Sequence, residues 1–278
     1  MSSPTLTDEG FAADWAQWHA GHEAHLSAPH GFLAVTHLHW LAAGAAALEG
    51  APGHWRVDGD VVRLVLAPGE SLVLDGRELN PGGDGATLTF GPIAERGGIN
   101  LDFGAAVLEL AKRGGAYLLR PRHPENALLR GYRGTPAYAP NPDYAVSGTF
   151  VPFPTPRATT VGAAVEGISH VYEAPGEVRF RLAGQDLALT AFNGHVPGTL
   201  TVLFTDATSG KTTYAANRSL TLAAPADDGT VEVDFNRAVN LPCAYTDLAT
   251  CPLPPAQNRL PVAIEAGEQI PFERRATS

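Results

Sequence analysis

The stretch that decides the fold is "EVRFRLAGQDLALTAF", Glu177 to Phe192. Val178, Phe180 and Leu182 alternate with Arg179 and Arg181. Leu187 and Leu189 answer them across a turn at Gly184. A period of two places one row of side chains in a core and the other in water, so the stretch is a β-hairpin. The same rhythm recurs along the chain. "HWRVDGDVVRLVL" reads as two strands around Asp58-Gly59, a strong short hairpin signal. "SLVLDGREL", "ATLTF", "GINLDFG", "AVLELAKRGGAYLLR", "YAVSGTFVPF", "GTLTVLFTD" and "GTVEVDF" continue it, as does "GFLAVTHLHWLAAG" nearer the N-terminus. "FTDATSGKTTYAANRSL" reads as a hairpin with its tip at Ser209-Gly210, closed by Asp206 and Thr208, with Tyr214 and Arg218 four apart on the return strand. About fifteen short strands with turn residues between them predict an all-β protein of β-sandwich or barrel-like architecture.

One segment departs from this rhythm. Phe11, Trp15, Trp18 and His22 recur at helical spacing after a potential cap at Thr7, which predicts one N-terminal helix ending near Pro29. The expected organisation is a helix over residues 1–28 packed on the body and a first β lobe over 29–120. An irregular Pro-, Gly- and Arg-rich connection follows over 121–144, then a C-terminal barrel-like lobe over 145–278. The alternation of Val262 and Ile264 with Ala263 and Glu265 could add a final strand.

Composition bounds the function classes. The 278 residues carry a formal net charge of −10, with 30 glycines and 23 prolines. An acidic surface repels phosphate backbones and anionic membranes, so neither nucleic acid nor membrane is an expected partner. The first fifteen residues carry no basic and apolar leader pattern, and no stretch is apolar enough to span a bilayer, so the expected location is the cytoplasm. No Gly-x-Ser-x-Gly elbow, phosphate-binding loop or dinucleotide fingerprint is present. No cofactor follows from the sequence, and the oligomeric state is open.

The residues with chemistry gather late in the chain. "DFNRAVNLPCAY" sets Asp234, Asn236, Arg237, Asn240 and Cys243 at the end of a strand, and Asn258, Arg259 and Glu268 follow. A carboxylate, amides and guanidinium groups can orient a small polar or anionic ligand, and they can equally fasten a long loop. In the first reading Arg218, Asn236, Arg237, Asn240, Cys243, Asn258 and Arg259 bind the ligand, and Arg218 or Arg237 meets an anionic group. Asp234 and Glu268 are then the candidate general acids or bases and Tyr214 a hydrogen-bond donor. Cys243 and Cys251 are eight residues apart, outside the usual zinc-knuckle spacing, and read first as small buried apolar groups. His19, His22 and His25 recur three apart on the helix; a bound metal is conceivable there, and a solvated face is the preferred reading. His37 and His39, two apart, would share one side of a strand and are the metal-ligand candidates.

Four motifs together resemble the uncharacterised prokaryotic family called domain of unknown function 1684. They are "GFLAVTHLHWLAAG", "FTDATSGKTTYAANRSL", "VDFNRAVNLPCAY" and "CPLPPAQNRLPVAIEAGE". The resemblance runs from about Trp15 to Glu268. It implies that Asp234, Asn236, Arg237, Asn240, Cys243, Cys251, Asn258, Arg259 and Glu268 belong to the family signature, and that Asp206, Thr208, Tyr214 and Arg218 match its hairpin motif. It brings no activity with it. The strand rhythm of the first lobe is also distantly similar to forkhead-associated sandwiches, without their matching Arg and Ser pair. Three readings stand: a β protein with a small-molecule site, catalytic or not; a non-catalytic interaction module; and a metal-dependent hydrolase using His37 and His39.

Overall fold

The structure is a computed structural model and describes residues 8–274. The helix α1 (Asp8–Leu26) starts immediately after Thr7, so the expected cap lies outside the described residues. The chain divides into two compact units. One is His25–Arg133; the other joins the N-terminal residues through Ala24 to those from Gly134 onward.

The His25–Arg133 unit holds ten strands: β1 (His39–Trp40), β2 (Ala46–Ala47), β3 (His54–Asp58), β4 (Val61–Leu66), β5 (Val73–Leu74), β6 (Arg77–Glu78), β7 (Ala86–Phe90), β8 (Gly98–Phe103), β9 (Ala106–Arg113) and β10 (Ala116–Arg122). They form two antiparallel sheets, ordered β1-β10-β9-β8-β5-β6 and β2-β3-β4-β7. Trp55, Val62 and Leu64 from the second sheet share one core with Leu101, Leu108, Leu110 and Leu119 from the first. That is sandwich packing, in which each sheet covers the apolar face of the other. Asp58-Gly59 turns β3 into β4 as the sequence suggests, with Gly59 at φ +63°. "GFLAVTHLHW" departs from expectation: a 3-10 turn (Phe32–Ala34) occupies its start, and only His39 and Trp40 are paired as a strand. The connection expected to be irregular carries the end of β10 and a short helix α2 (Ala127–Gly131).

The other unit holds one antiparallel sheet of β11 (Ala145–Gly162), β12 (Ser169–Leu182), β13 (Gln185–Asn193), β14 (Leu200–Phe204), β15 (Arg218–Leu222), β16 (Thr230–Asp234) and β17 (Val239–Asn240). Its order is β16-β11-β12-β13-β14-β15-β17. Val178 pairs with Leu189 and Phe180 with Leu187, as the alternation requires. Ala183 and Gly184, at φ +50° and +76°, make the tight turn that matches strand twist. β11 runs nine residues beyond the "FVPF" where the sequence pattern stops, despite Pro154 and Pro156. Its register shifts between Pro152 and Arg157, and its pairing with β16 ends at Thr149. Proline is tolerated at such a bulge and on an edge that donates to no neighbouring strand.

No sheet among the described residues closes on itself, so the barrel-like part of the expectation gives way to open, sandwich-like sheets. Nor is 262–266 a strand. Val262, Ile264 and Ala266 are buried in the core of this unit and Ala263 and Glu265 are exposed, so the alternation holds without a ladder. Among the described residues no helix is long and apolar enough to cross a membrane.

Candidate functional site

Most polar residues of the C-terminal motifs are engaged by backbone. Asp234 caps a 3-10 turn (Phe235–Arg237): its Oδ1 accepts from the Asn236 backbone N at 3.0 Å and from Asn236 Nδ2 at 2.8 Å. The chain therefore turns here rather than staying extended. The Asn236 side chain accepts from Asn141 N at 2.8 Å and donates to Asn141 O at 2.9 Å. Asn258, fully buried, accepts from Thr190 N and donates to the carbonyls of Thr190 and Leu203, all at 2.8–2.9 Å. Arg237 bonds Asp14 on α1 and lies 3.2 Å from Asp234 Oδ2.

Arg218, also fully buried, pairs with Asp206 at 2.8 Å. It further donates to the carbonyls of Ile264 (3.1 Å), Ala266 and Glu268 (3.3 Å). Carbonyls two residues apart point the same way on an extended chain. One guanidinium fork thus replaces the ladder that 262–268 would otherwise need. Asp206 Oδ1 accepts from both the backbone N and the hydroxyl of Thr208, closing the turn as expected. β15 begins only at Arg218, so Tyr214 lies outside the strand. Arg259 is exposed and lines a cavity of about 380 Å³ with Thr205, Ser209 and Pro254.

Tyr214 lies with the thiols. The Cys243 backbone N donates to Cys251 Sγ at 3.2 Å; both cysteines are buried and neither is in a disulfide. Contact with the Cys251 thiol holds the Cys243 thiol below its ordinary range against the opposing effect of burial, with help from Arg274 and Tyr214. Burial pushes the Tyr214 hydroxyl up, and Cys243 adds to the shift.

Glu268 has different surroundings. Gly267, at φ +74°, has no room for a side chain: a Cβ would stand 2.5 Å from Ala238 O. The close approach lets Glu268 N reach Ala238 O at 2.9 Å and Gln269 N reach Pro136 O at 2.7 Å. β17 pairs Asn240 with Arg218, which brings Asn240 N to Glu268 Oε2 at 2.5 Å. Tyr245 Oη donates to the same oxygen at 3.3 Å. Among the described residues Oε1 has no backbone donor; its neighbour is His22 Nε2 on α1, at 3.0 Å. Glu268 is 1% exposed.

α1 supplies the rest. His19 stacks on Trp15 with ring centroids 4.7 Å apart, and His22 on Trp18 at 5.8 Å. His19 Nε2 lies 3.6 Å from Glu23 Oε1, which accepts from Thr135 N at 3.2 Å. Thr135 Oγ1 and Tyr245 Oη are hydrogen-bonded at 2.8 Å. A polar circuit thus runs Glu23, Thr135, Tyr245, Glu268, His22. Burial of the His22 imidazole opposes its charge. The hydrogen bond to Glu268 and the charges of Glu268 and Glu23 outweigh it and raise the pKa above 6.5. The circuit can hold a cation, or donate and accept a proton.

Sequence reasoning singled out Glu268 and Asn240 here, but not Thr135 or Tyr245, and it read His19 and His22 as a solvated face. Both imidazoles are instead half-buried on the face carrying Trp15 and Trp18. The available signal was their place on that stripe: Trp15, His19 and His22 follow at spacings of four and three. His37 and His39 lie in the other unit, stacked at 5.4 Å. Their Nε2 atoms lie 3.4 Å from the Glu49 carboxylate and 2.9 Å from its carbonyl, respectively. Among the described residues, the group of three potential metal ligands is His19, Glu23 and Glu268.

No curated protein matches the chain. An uncharacterized protein of Haloarcula marismortui, solved by solution NMR, is 32% identical, with 52% of this chain and 80% of that chain covered and a TM-score of 0.44. Residues 130–269, half of the chain, match the family described as "Protein of unknown function (DUF1684)". That span holds Thr135, Asn240, Tyr245 and Glu268, while His19, His22 and Glu23 precede it. The chain belongs to the DUF1684 family.

Proposed function

We propose that this chain is a ligand-binding protein whose site is centred on Glu268, and that its ligand is small and polar. The observation that supports the reading is the state of Glu268 Oε1. It belongs to a carboxylate 1% exposed, and it meets a titratable imidazole rather than a backbone donor. Buried polar atoms are ordinarily satisfied, and an exception points to a missing partner or a chemical role. Asn258 and Asn236 lack such open valence, and Arg218, although its Nε has no partner among the described residues, is held through both terminal nitrogens by Asp206 and three carbonyls. A ligand meeting those residues would have to break bonds that hold the loop. The side chains of His19, His22 and Glu23 are each about a fifth exposed, so the circuit has a solvent-facing rim. Two carboxylates favour a cation or a hydrogen-bond donor over an anion. A bound donor could exchange a proton with the His22–Glu268 pair, which is the route to catalysis in this reading.

The test is native mass spectrometry on protein purified without chelator, for wild type and Glu268→Gln, with circular dichroism as the check on folding. The expected result is a mass excess in the wild type that is absent from the folded variant. A wild-type mass equal to the bare chain, or an excess that survives the substitution, would overturn the proposal.

A further inference from the structure

We infer that the Glu268 site takes a divalent cation of zinc's class, with His19, Glu23 and Glu268 as its ligands. This rests on the reading of Glu268 as the centre of a ligand site and names the ligand's class. Three observations carry it independently of one another.

The first is spacing. One donor atom from each of the three residues lies within 4.8 Å of the other two. Tetrahedral zinc with bonds of about 2.1 Å sets its ligands about 3.4 Å apart. His19 Nε2 and Glu23 Oε1 already stand 3.6 Å apart.

The second is valence. Glu268 Oε1 and His19 Nε2 are both shielded from water; Oε1 has the His22 imidazole beside it at 3.0 Å and no second donor among the described residues, and His19 Nε2 has no hydrogen-bond partner among them. A cation would satisfy both at once. The donors are one imidazole and two carboxylates, a mixture suited to zinc, manganese or iron rather than to a thiolate-seeking ion. The two thiols engage each other elsewhere.

The third is support from behind. Bound metals need ligands whose orientation is fixed by outer partners. Asn240 N and Tyr245 Oη hold Glu268 Oε2, which leaves Oε1 to face the helix. Thr135 N holds Glu23 and Trp15 holds the His19 ring by stacking. His22, 3.0 Å from Oε1, orients the Glu268 carboxylate from the remaining side. Three protein ligands leave a fourth position for water or substrate, as in zinc sites that act on a bound molecule.

The experiment is isothermal titration of zinc chloride into the full chain after dialysis against chelator and then metal-free buffer. One ion per chain is expected. His19→Ala and Glu268→Gln should each weaken binding by about 100-fold or more, beyond the range of about 10–100-fold typical for an outer partner. Glu23→Gln serves as a third ligand variant should either of these unfold. No stoichiometric uptake, uptake that persists in the folded ligand variants, or uptake abolished by His37→Ala instead would each overturn the inference. An organic mass excess lost in Glu268→Gln, with no zinc uptake, would overturn the cation and leave the ligand site standing. Absence of both would end both.

Discussion

A carboxylate removed from water needs compensation, and the chain makes two different arrangements for it. Glu109 on β9 is buried, yet it bonds Arg120 at 2.6 and 3.1 Å and also Arg122. Burial would raise its pKa, but the charges and hydrogen bonds of Arg120 and Arg122 prevail and hold it below 4.5. A depressed folded-state pKa contributes stability that is present above the unfolded value and lost as pH falls through the folded one. Glu109→Gln should therefore cost about 3–5 kcal/mol at pH 7, because it strands buried positive charge. The gap from wild type in urea titrations should narrow as pH drops below 4.5. A gap that stays constant down to pH 3 would show that shape, not charge, governs the cost. Among the described residues no guanidinium bonds the Glu268 carboxylate; neutral donors hold one oxygen and an imidazole faces the other. That difference separates a carboxylate tied into the fold from one left open to a ligand.

At the scale of elements, the sequence was legible wherever one local rule governed. The hairpin at Ala183-Gly184 and the turn at Asp58-Gly59 combine alternation with turn residues, and both form. The segment 262–266 was legible by halves. Its alternation reports burial, but its ladder is absent because Arg218, more than forty residues earlier, supplies the donors. α1 shows the same limit: its apolar stripe marks a face, but no helix records what covers that face. Thr135 and Tyr245, 110 residues apart, meet only through the fold and had no local signal. The Arg218 device has a measurable consequence. Arg218→Met should cost about 3–5 kcal/mol, since Asp206 is left buried without its partner. Adding Asp206→Asn should recover part of that loss, with the remainder measuring the carbonyl bonds to 264–268. Equal urea midpoints for the single and double variants would mean that the ion pair itself contributes nothing beyond those bonds.

For the whole molecule, the chain order and the spatial order differ. α1 packs with the residues after Gly134, and Glu23 accepts from Thr135 N at 3.2 Å although 112 positions separate them in sequence. The two ends at which His25–Arg133 leaves and returns are therefore neighbours. Each unit has its own apolar core: Val178, Phe204, Phe235 and Ile264 in one, Trp55, Leu64, Leu108 and Leu119 in the other. A segment with its own core and adjacent ends behaves as an insertion, because removing it leaves only a short gap to span. The family match begins at residue 130, close to the return point, while His19, His22 and Glu23 come from α1 before the insertion. Replacing residues 25–133 with a short Gly-Ser linker should leave a chain that unfolds cooperatively in urea. It should also take up zinc with the stoichiometry and affinity of the full chain, because His19, Glu23 and Glu268 all remain. Cooperative unfolding without zinc uptake would mean that the inserted unit sets the position of α1. A chain with no cooperative transition would mean that the β11–β17 core depends on the insertion for its stability.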